Sequence, residues 1–262
     1  MKTLFRFALL PALLAVLTAV IAPGAEPTTR WRNIARTKLP QGVAAMALEY
    51  TVLFVEDGVE KAIDPATHKF AIGDQFLVRI EAKDDMYIYI FTEGPTGDKD
   101  CLQPTEEEKP PMVKKGAKID LPGDGFFQFA PPPGEEKFIV VATLEPSKDL
   151  AALSNVVFRK PDQLLTPAEQ VQKKAIVAQV EKALTTTESK PRVKSRGILS
   201  DQSLNKFTQE LKTKNRGTFE EPPHNGEKST FAMAVSKPEA GKPELLINIS
   251  LKSSEPGKAK AR

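Results

Sequence analysis

The residue types that most often bind zinc are scarce in this chain. His68 and His224 are the two histidines, Cys101 is the one cysteine, and neither histidine has a partner at ligand spacing. A zinc centre needs three or four nitrogen or sulfur ligands, so this composition argues against one. We therefore expect each histidine to be an exposed loop residue. Cys101 is expected to be a small, half-buried residue beside a turn, and it has no second cysteine for an intramolecular disulfide.

Carboxylates that could bind calcium gather in one predicted loop. Asp98, Asp100 and the glutamates at 106–108 carry the oxygen ligands that calcium prefers. Lys99 interrupts these acids, Lys109 follows them, and their spacing is far from that of an EF-hand. A calcium site and a solvated acidic loop both stay open, and the interrupting lysines favour the solvated loop.

The strongest local charge lies between residues 185 and 217. Eight basic residues there oppose three acidic ones, which gives a net charge of +5. Such a surface could contact an acidic polysaccharide, phospholipid headgroups or nucleic acid. Phe207 is the one aromatic residue of the segment and has helical spacing, so platforms for stacking bases are missing. We expect a solvated linker and helix face, and no nucleic-acid partner.

The sequence lacks the motifs of familiar enzyme classes. It contains no Gly-x-Ser-x-Gly elbow, no P-loop and no dinucleotide-binding glycine fingerprint. The sequence therefore predicts a non-enzymatic protein with no catalytic, cofactor-binding or metal-binding residues and no cofactor. An enzyme with an unrecognised site would need carboxylates clustered in a cleft with displaced pKa values, and it is kept as an alternative.

The first 24 residues have the pattern of a secretory signal peptide. Lys2 and Arg6 precede an uncharged run at 7–21, which is short for a bilayer of about 30 Å. Small residues predict cleavage before Ala25, and an uncleaved anchor is the alternative. The mature protein is then expected in the periplasm or outside the cell, without stable membrane insertion. Removing the two basic residues subtracts two from the net charge of +3 and leaves +1, a weak electrostatic attraction for nucleic acid or anionic lipid.

Apolar residues recur at every second position between residues 48 and 144, which is typical of β-strands. The run at 86–91 is apolar on both faces and should be a central strand. Asp84 and Asp85 predict a tight turn that joins it to the preceding run as a hairpin. The predicted strands lie at 50–55, 76–82, 86–91, 126–129 and 137–144.

The period changes after residue 147. Thr166 and Glu169 form a capping box with proline at the first helical position, which predicts a helix at 167–184. Leucine and phenylalanine at helical spacing predict a second helix at 201–214. These two helices make residues 147–217 the predicted helical part of the chain.

The two-residue period returns near the end of the chain. Apolar residues alternate at 231–235 and 245–251, and prolines lie between the two runs. We expect a closing hairpin around residues 238–243 that completes the upstream sheet. The predicted fold is mainly β, an antiparallel immunoglobulin-like β-sandwich of about seven to nine strands with a helical insertion or appendage, α+β overall.

These patterns divide the chain into consecutive segments, and whether the helical one is an insertion or a separate subdomain stays open. In chain order they are a signal peptide at 1–24, a flexible N-terminal arm at 25–46, a β-sandwich domain at 47–146, a helical, basic segment at 147–217, a closing β-hairpin at 218–251 and a disordered basic tail at 252–262.

A series of short motifs between residues 48 and 146 resembles a known family in order and spacing. The motifs are Phe70-Ala71-Ile72-Gly73-Asp74, Tyr87-Ile88-Tyr89, a glycine-containing turn, Leu102-Gln103-Pro104 and Pro132-Pro133-Gly134-Glu135-Glu136. They resemble the bacterial domain-of-unknown-function family 4384, whose members are β-rich modules often found in exported or envelope proteins. The resemblance implies a β-rich fold and an envelope setting, and it implies no catalytic residues.

The motifs also have a structural explanation. Gly73 and Asp74 are predicted to form a turn with positive φ at the glycine, in which the carboxylate caps backbone N–H groups and a strand starts at Phe76. The tyrosines suit a sheet interior whose hydroxyls reach polar partners. Neither explanation requires a ligand.

The favoured function is therefore a non-enzymatic interaction module of the bacterial envelope or extracellular space. Its partner would be another envelope or secreted protein that contacts exposed edge strands or the loop ends. The alternative is a small-ligand or glycan-binding protein that uses the tyrosines or exposed loop aromatics.

Overall fold

A computed structural model shows two β-sheets and little helix. It describes residues 39, 41–104, 112–148, 150–151, 154, 165–171, 174–175, 192–194, 216–221 and 229–255. The predicted signal peptide, most of the predicted arm and the end of the predicted tail lie outside these residues. The strands with defined bounds are β1 (Ala44–Glu56), β2 (Val59–Ile63), β3 (Phe70–Ala71), β4 (Gln75–Ala82), β5 (Met86–Glu93), β6 (Lys99–Gln103), β7 (Met112–Val113), β8 (Lys118–Leu121), β9 (Phe127–Gln128), β10 (Glu135–Thr143), β11 (Arg192–Lys194), β12 (Arg216–Glu221), β13 (Thr230–Ser236) and β14 (Glu244–Ser254).

The described strands pair into two sheets that contain both antiparallel and parallel neighbours. The first sheet has the order β11-β12-β13-β1-β4-β8, with β2 also beside β1 and β9 also beside β4. The second sheet has the order β3-β14-β10-β5-β6, with β7 also beside β5. Two pairs are parallel, β11 with β12 and β3 with β14, and the others are antiparallel. The mainly β prediction is confirmed, with more strands than expected because several have only two to four residues.

The core lies between the two sheets. Alternate residues of β1 and β4, among them Leu48 and Val78, are buried in one cluster with Ile90 of β5, Val140 of β10 and Ile247 of β14. This alternation is what the two-residue period predicts. Each such side chain contributes about 1.5–3 kcal/mol when fully buried, so the shared inner faces hold the sheets together.

One end of the core is aromatic. The Phe76 ring centroid lies 4.8 Å from that of Phe129 and 5.9 Å from that of Phe138. The His68 ring centroid lies 4.5 Å from that of Phe70 and 5.0 Å from that of Phe54, and the residue is half-buried. The prediction of an exposed loop histidine is therefore wrong for His68, because these two rings cover it. His224 lies outside the described residues.

The hairpin predicted at Asp84 and Asp85 is wrong. β4 pairs with β1 and β8, whereas β5 pairs with β10, β6 and β7, so the two runs belong to different sheets. Asp84 and Asp85 form a corner between the two sheets, and their carboxylates hold it in place. Asp84 Oδ2 accepts the backbone N–H of Ala47 at 2.8 Å, and Asp85 Oδ1 accepts that of Lys115 at 2.9 Å. The central position predicted for the run at 86–91 is confirmed, since β5 has neighbours on both sides.

The prediction of a closing hairpin is also wrong, because its two strands belong to different sheets. β13 pairs with β12 and β1 in the first sheet, while β14 pairs with β10 in the second. Between them the 3-10 helix Pro238–Ala240 crosses from one sheet to the other, and Arg216 Nε donates to Ala240 O at 2.9 Å. The prediction that these strands complete the upstream sheets is confirmed.

Helical geometry in the described residues is limited to short stretches. The α-helical residues are Lys148, Leu150, Ala151, Ser154, Pro167–Val171, Lys174 and Ala175. The predicted capping box is present: Thr166 N donates to Glu169 Oε2 at 2.7 Å and Glu169 N donates to Thr166 Oγ1 at 3.3 Å. The remainder of the helix predicted at 167–184, and all of the one at 201–214, lies outside the described residues. The described part of the chain is thus mainly β, not α+β.

Candidate interaction surface

The first family-like motif forms the turn between β3 and β4. Gly73 has φ of +95°, and Asp74 Oδ2 accepts the backbone N–H of Ala71 at 2.8 Å. Phe129 closes the turn from the other side, because its N–H donates to Asp74 O at 3.0 Å and its carbonyl accepts from Gly73 N at 2.9 Å. The turn predicted at Gly73 and Asp74 is confirmed, and β4 begins directly after it.

The last motif packs at the same end of the sheets. A Cβ added to Gly134 would lie 2.5 Å from Pro95 Cβ, so only glycine allows the two loops to approach this closely. Ser253 N donates to Gly134 O at 2.8 Å, and Ile72 N donates to Ser254 O at 3.1 Å. The end of β14 therefore ties the first and last motifs together.

The acidic residues beside this end have structural contacts. Asp98 and Asp100 are exposed; Asp98 accepts a hydrogen bond from Thr96 Oγ1, and Asp100 Oδ1 accepts one from Cys101 N at 2.8 Å. The glutamates at 106–108 lie outside the described residues, so the structure does not bring the predicted carboxylate group together. Within the part of the chain that the structure describes, no three His, Cys, Asp or Glu residues are placed to hold a metal ion.

Glu136 is the described carboxyl group whose pKa is raised. Its side chain lies at the end of β10, with Oε2 3.8 Å from a Cβ built on Gly94. Desolvation by burial raises the pKa of Glu136 above its ordinary value. A single half-buried carboxyl group of this kind is not a catalytic pair.

Two of the tyrosines use their hydroxyls inside the fold. Tyr50 is buried and donates to Glu220 Oε1 at 3.2 Å. Tyr89 is fully buried, accepts from Ser147 N at 2.9 Å and donates to Ser147 O at 3.4 Å. The prediction that tyrosine hydroxyls reach polar partners is confirmed for both. Tyr87 is half-buried on the same face as Tyr89.

Cys101 is fully buried rather than half-buried, so that prediction is corrected. Burial raises its pKa to about 11, although hydrogen bonds with Ser154 and with the carbonyl of Gln103 act in the opposite direction. The thiol Sγ lies 3.3 Å from Gln103 O and 3.7 Å from Pro104 O. These contacts hold the thiol as a buried donor in the fold, with little thiolate at neutral pH.

Ser147 and Ser154 contact residues on the outer face of the second sheet. Ser147 contacts Tyr89 and Ser154 contacts Cys101, as described above, and Leu150 is buried in the same segment. Ile139 and Val141 of β10 point to this outer face and are also buried. The outer faces of β5 and β10 are therefore buried. β14 lies beside β10, nearer the edge of the sheet.

Within the described residues, β14 has a long open edge. Along its other edge, residues 244–252 pair with β10, and on the open side Ser253 and Ser254 are the described residues that pair, with β3. Ser253 N donates toward β10, whereas Ser254 O accepts from the β3 side. Backbone groups of successive strand residues point to opposite sides, so the even-numbered residues from 244 to 252 direct their N–H and C=O groups to the open edge.

The other edges in the described sheets are short or charged. β8 and β11 have four and three residues, and β6 meets β5 through a register shift. β2 has five residues and exposes Val59, Glu60 and Lys61. Short, charged or irregular edges resist pairing with another strand, whereas β14 has eleven residues without proline or bulge.

Neither this edge nor its central residue is predicted by the sequence patterns. Asn248 is a polar residue on the outer face of β14, and its Oδ1 is buried without a hydrogen-bond partner among the described residues. The sequence feature that could have drawn attention to it is an asparagine between two isoleucines. Of the eight basic residues in the predicted basic segment, Arg216 is bound to Ala240 O, and the side chains of the others lie outside the described set.

Comparison with known proteins finds a family match for part of the chain. Searches of curated proteins and of solved structures found no significant match. Among the described helices, none is long and apolar enough to cross a membrane. Residues 69–146 match the model of a family described as a domain of unknown function (DUF4384), as the motifs at 70–74 and 132–136 predict.

Proposed function

We propose that this protein is an exported, non-enzymatic interaction module of the bacterial envelope or extracellular space, built on an immunoglobulin-like β-sandwich. The observation that carries the proposal is the open edge of β14 at residues 244–252. A row of backbone donors and acceptors on a long, regular edge is a template for another strand. The setting is supported by the signal-peptide pattern at 1–24 and by the family to which residues 69–146 are matched.

The partner is a protein that adds a strand to the second sheet. In this mode of recognition main-chain hydrogen bonds supply affinity, and alternate side chains supply specificity. Leu246, Asn248 and Ser250 are half-buried on the outer face beside the edge, so an added strand would cover them further. Their mixed apolar and amide character suits a protein strand better than a sugar or a nucleotide.

The alternative of a ligand-binding protein has less support in this structure. The hydroxyls of Tyr50 and Tyr89 are occupied inside the fold, which removes two of the candidate contacts. Phe126 remains as a partly exposed loop aromatic, with 42% of its surface accessible. Within the part of the chain that the structure describes, one exposed ring offers little specificity for a sugar.

The test blocks the edge and leaves the opposite ladder in place. Asn248→Pro removes an N–H group that points to the open edge, and proline is tolerated on strand edges. Asn248→Ala is the matched control, because it keeps that N–H group. We expect wild type and Asn248→Ala to retain a specific partner from an envelope extract, and Asn248→Pro to lose it with its circular dichroism spectrum unchanged. Equal recovery by all three proteins would refute the role of this edge.

A further inference from the structure

The open edge of β14 is complementary to itself when two copies run antiparallel. With Asn248 placed opposite Asn248 of a second copy, Glu244 lies opposite Lys252 and Leu246 lies opposite Ser250. Opposite charges thus meet at both ends of the open segment, and Leu246 meets the hydroxyl-bearing Ser250 between them. The inner-face residues Leu245 and Ile247 are already buried in the core of one copy, so they add no contact across the edge.

The backbone supports the same alignment. Asn248 directs its N–H and C=O to the open edge, so an Asn248–Asn248 pair would exchange both hydrogen bonds. The five pairs formed by even-numbered residues would give about ten backbone hydrogen bonds. Both ends of the segment are bounded, by Pro243 before Glu244 and by β3 beside Ser253 and Ser254.

Asn248 is the centre of this two-fold register. Residue 248 of one copy lies directly opposite residue 248 of the other, with Cβ atoms about 5 Å apart. The position is half-buried in one copy, so an added strand would cover it further.

We infer that the strand that completes the second sheet is β14 of a second copy of this chain, in a two-fold symmetric dimer centred on Asn248. This inference rests on the proposed function, since it names the partner of the same edge. A two-fold interface uses the same patch on both subunits, and a self-complementary strand provides one. Glu244 and Lys252 form no ion pair within the described chain, so each is available to the other copy.

Disulfide trapping tests the register. Cα atoms in a hydrogen-bonded antiparallel pair are about 5.5 Å apart, a distance that a disulfide can span. The full chain with Asn248→Cys should form a reducible dimer under mild oxidation. Ser250→Cys is the matched control, because in this register two copies of residue 250 are about 14 Å apart and should not link. Cys101 is buried and does not interfere.

Charge reversal tests the ends of the segment. Glu244→Lys and Lys252→Glu should each raise the dimer dissociation constant at least tenfold in sedimentation experiments, and the double reversal should restore it. Linkage at 250 but not at 248, or a monomer at all concentrations up to hundreds of micromolar, would overturn the inference. If the protein is monomeric and Asn248→Pro still releases another envelope protein, the proposed function stands and its partner is a different chain.

Discussion

Replacing Tyr89 with phenylalanine removes one hydroxyl that contacts Ser147. That hydroxyl accepts from Ser147 N at 2.9 Å and donates to Ser147 O at 3.4 Å, while the ring is fully buried. The substitution keeps the ring and deprives the N–H of its acceptor. Leaving a buried donor unsatisfied costs about 1–3 kcal/mol; since Ser147 is half-buried, we expect about 1–2 kcal/mol of the free energy of unfolding to be lost.

Urea unfolding followed by circular dichroism measures this loss. The midpoint should fall with an unchanged slope, and the melting temperature should fall by about 2–8 °C for a domain of this size. Tyr87→Phe is the matched control: Tyr87 is two residues earlier on the same face, is half-buried, and makes no hydroxyl hydrogen bond within the described chain. Its replacement should change stability by less than about 0.5 kcal/mol. Equal losses for the two variants would show that the Tyr89 hydroxyl does not anchor Ser147.

Four further outcomes are expected. Phe76→Ala should lower the free energy of unfolding by about 3–5 kcal/mol in the same assay, because its ring is buried among other phenylalanines; a loss under 1 kcal/mol would contradict this packing. The Cys101 thiol should resist a thiol reagent at pH 8 in the folded chain and react fully in concentrated guanidinium chloride; rapid labelling of the folded chain would disprove its burial. Because the pKa of Glu136 is raised in the folded state, its ionisation disfavours folding as pH rises above the unfolded pKa of about 4.3. Glu136→Gln should therefore stabilise the protein at pH 7 and lose that advantage below pH ~4. A change in stability that does not depend on pH would contradict this expectation. A fragment of residues 69–146 alone should show no cooperative thermal transition, since it lacks β1 and β14; a sharp transition would show that these strands are dispensable.

The strands themselves could be predicted because alternation is a local property. The runs at 76–82 and 86–91 become β4 and β5 with nearly the predicted bounds. Their partners could not be predicted, since a short polar turn fits a hairpin and a corner between sheets equally well. At Asp84 the choice is made by Ala47, which lies 37 residues earlier and donates to its carboxylate. No local pattern contains that contact.

The candidate surface was accessible to sequence reasoning only in outline. Exposed strand edges were named as the natural contact surface, but which strand is an edge depends on non-local pairing. The alternation at 245–251 would be the same in a central strand. His68 illustrates the same limit. The rings of Phe54 and Phe70 pack against it, and the contact with Phe54 depends on β1 lying beside the segment that contains His68.

The family match ends at residue 146, but the fold does not close within it. β4 pairs with β1 over eight residue pairs and β10 pairs with β14 over nine, and both partners lie outside the matched range. The odd-numbered residues of β14 serve this internal role, because their backbones bond to β10 and their side chains enter the core. The even-numbered residues face the open edge. Folding and association therefore use alternate residues of one strand, so substitutions at even positions can change partner binding while the core stays intact.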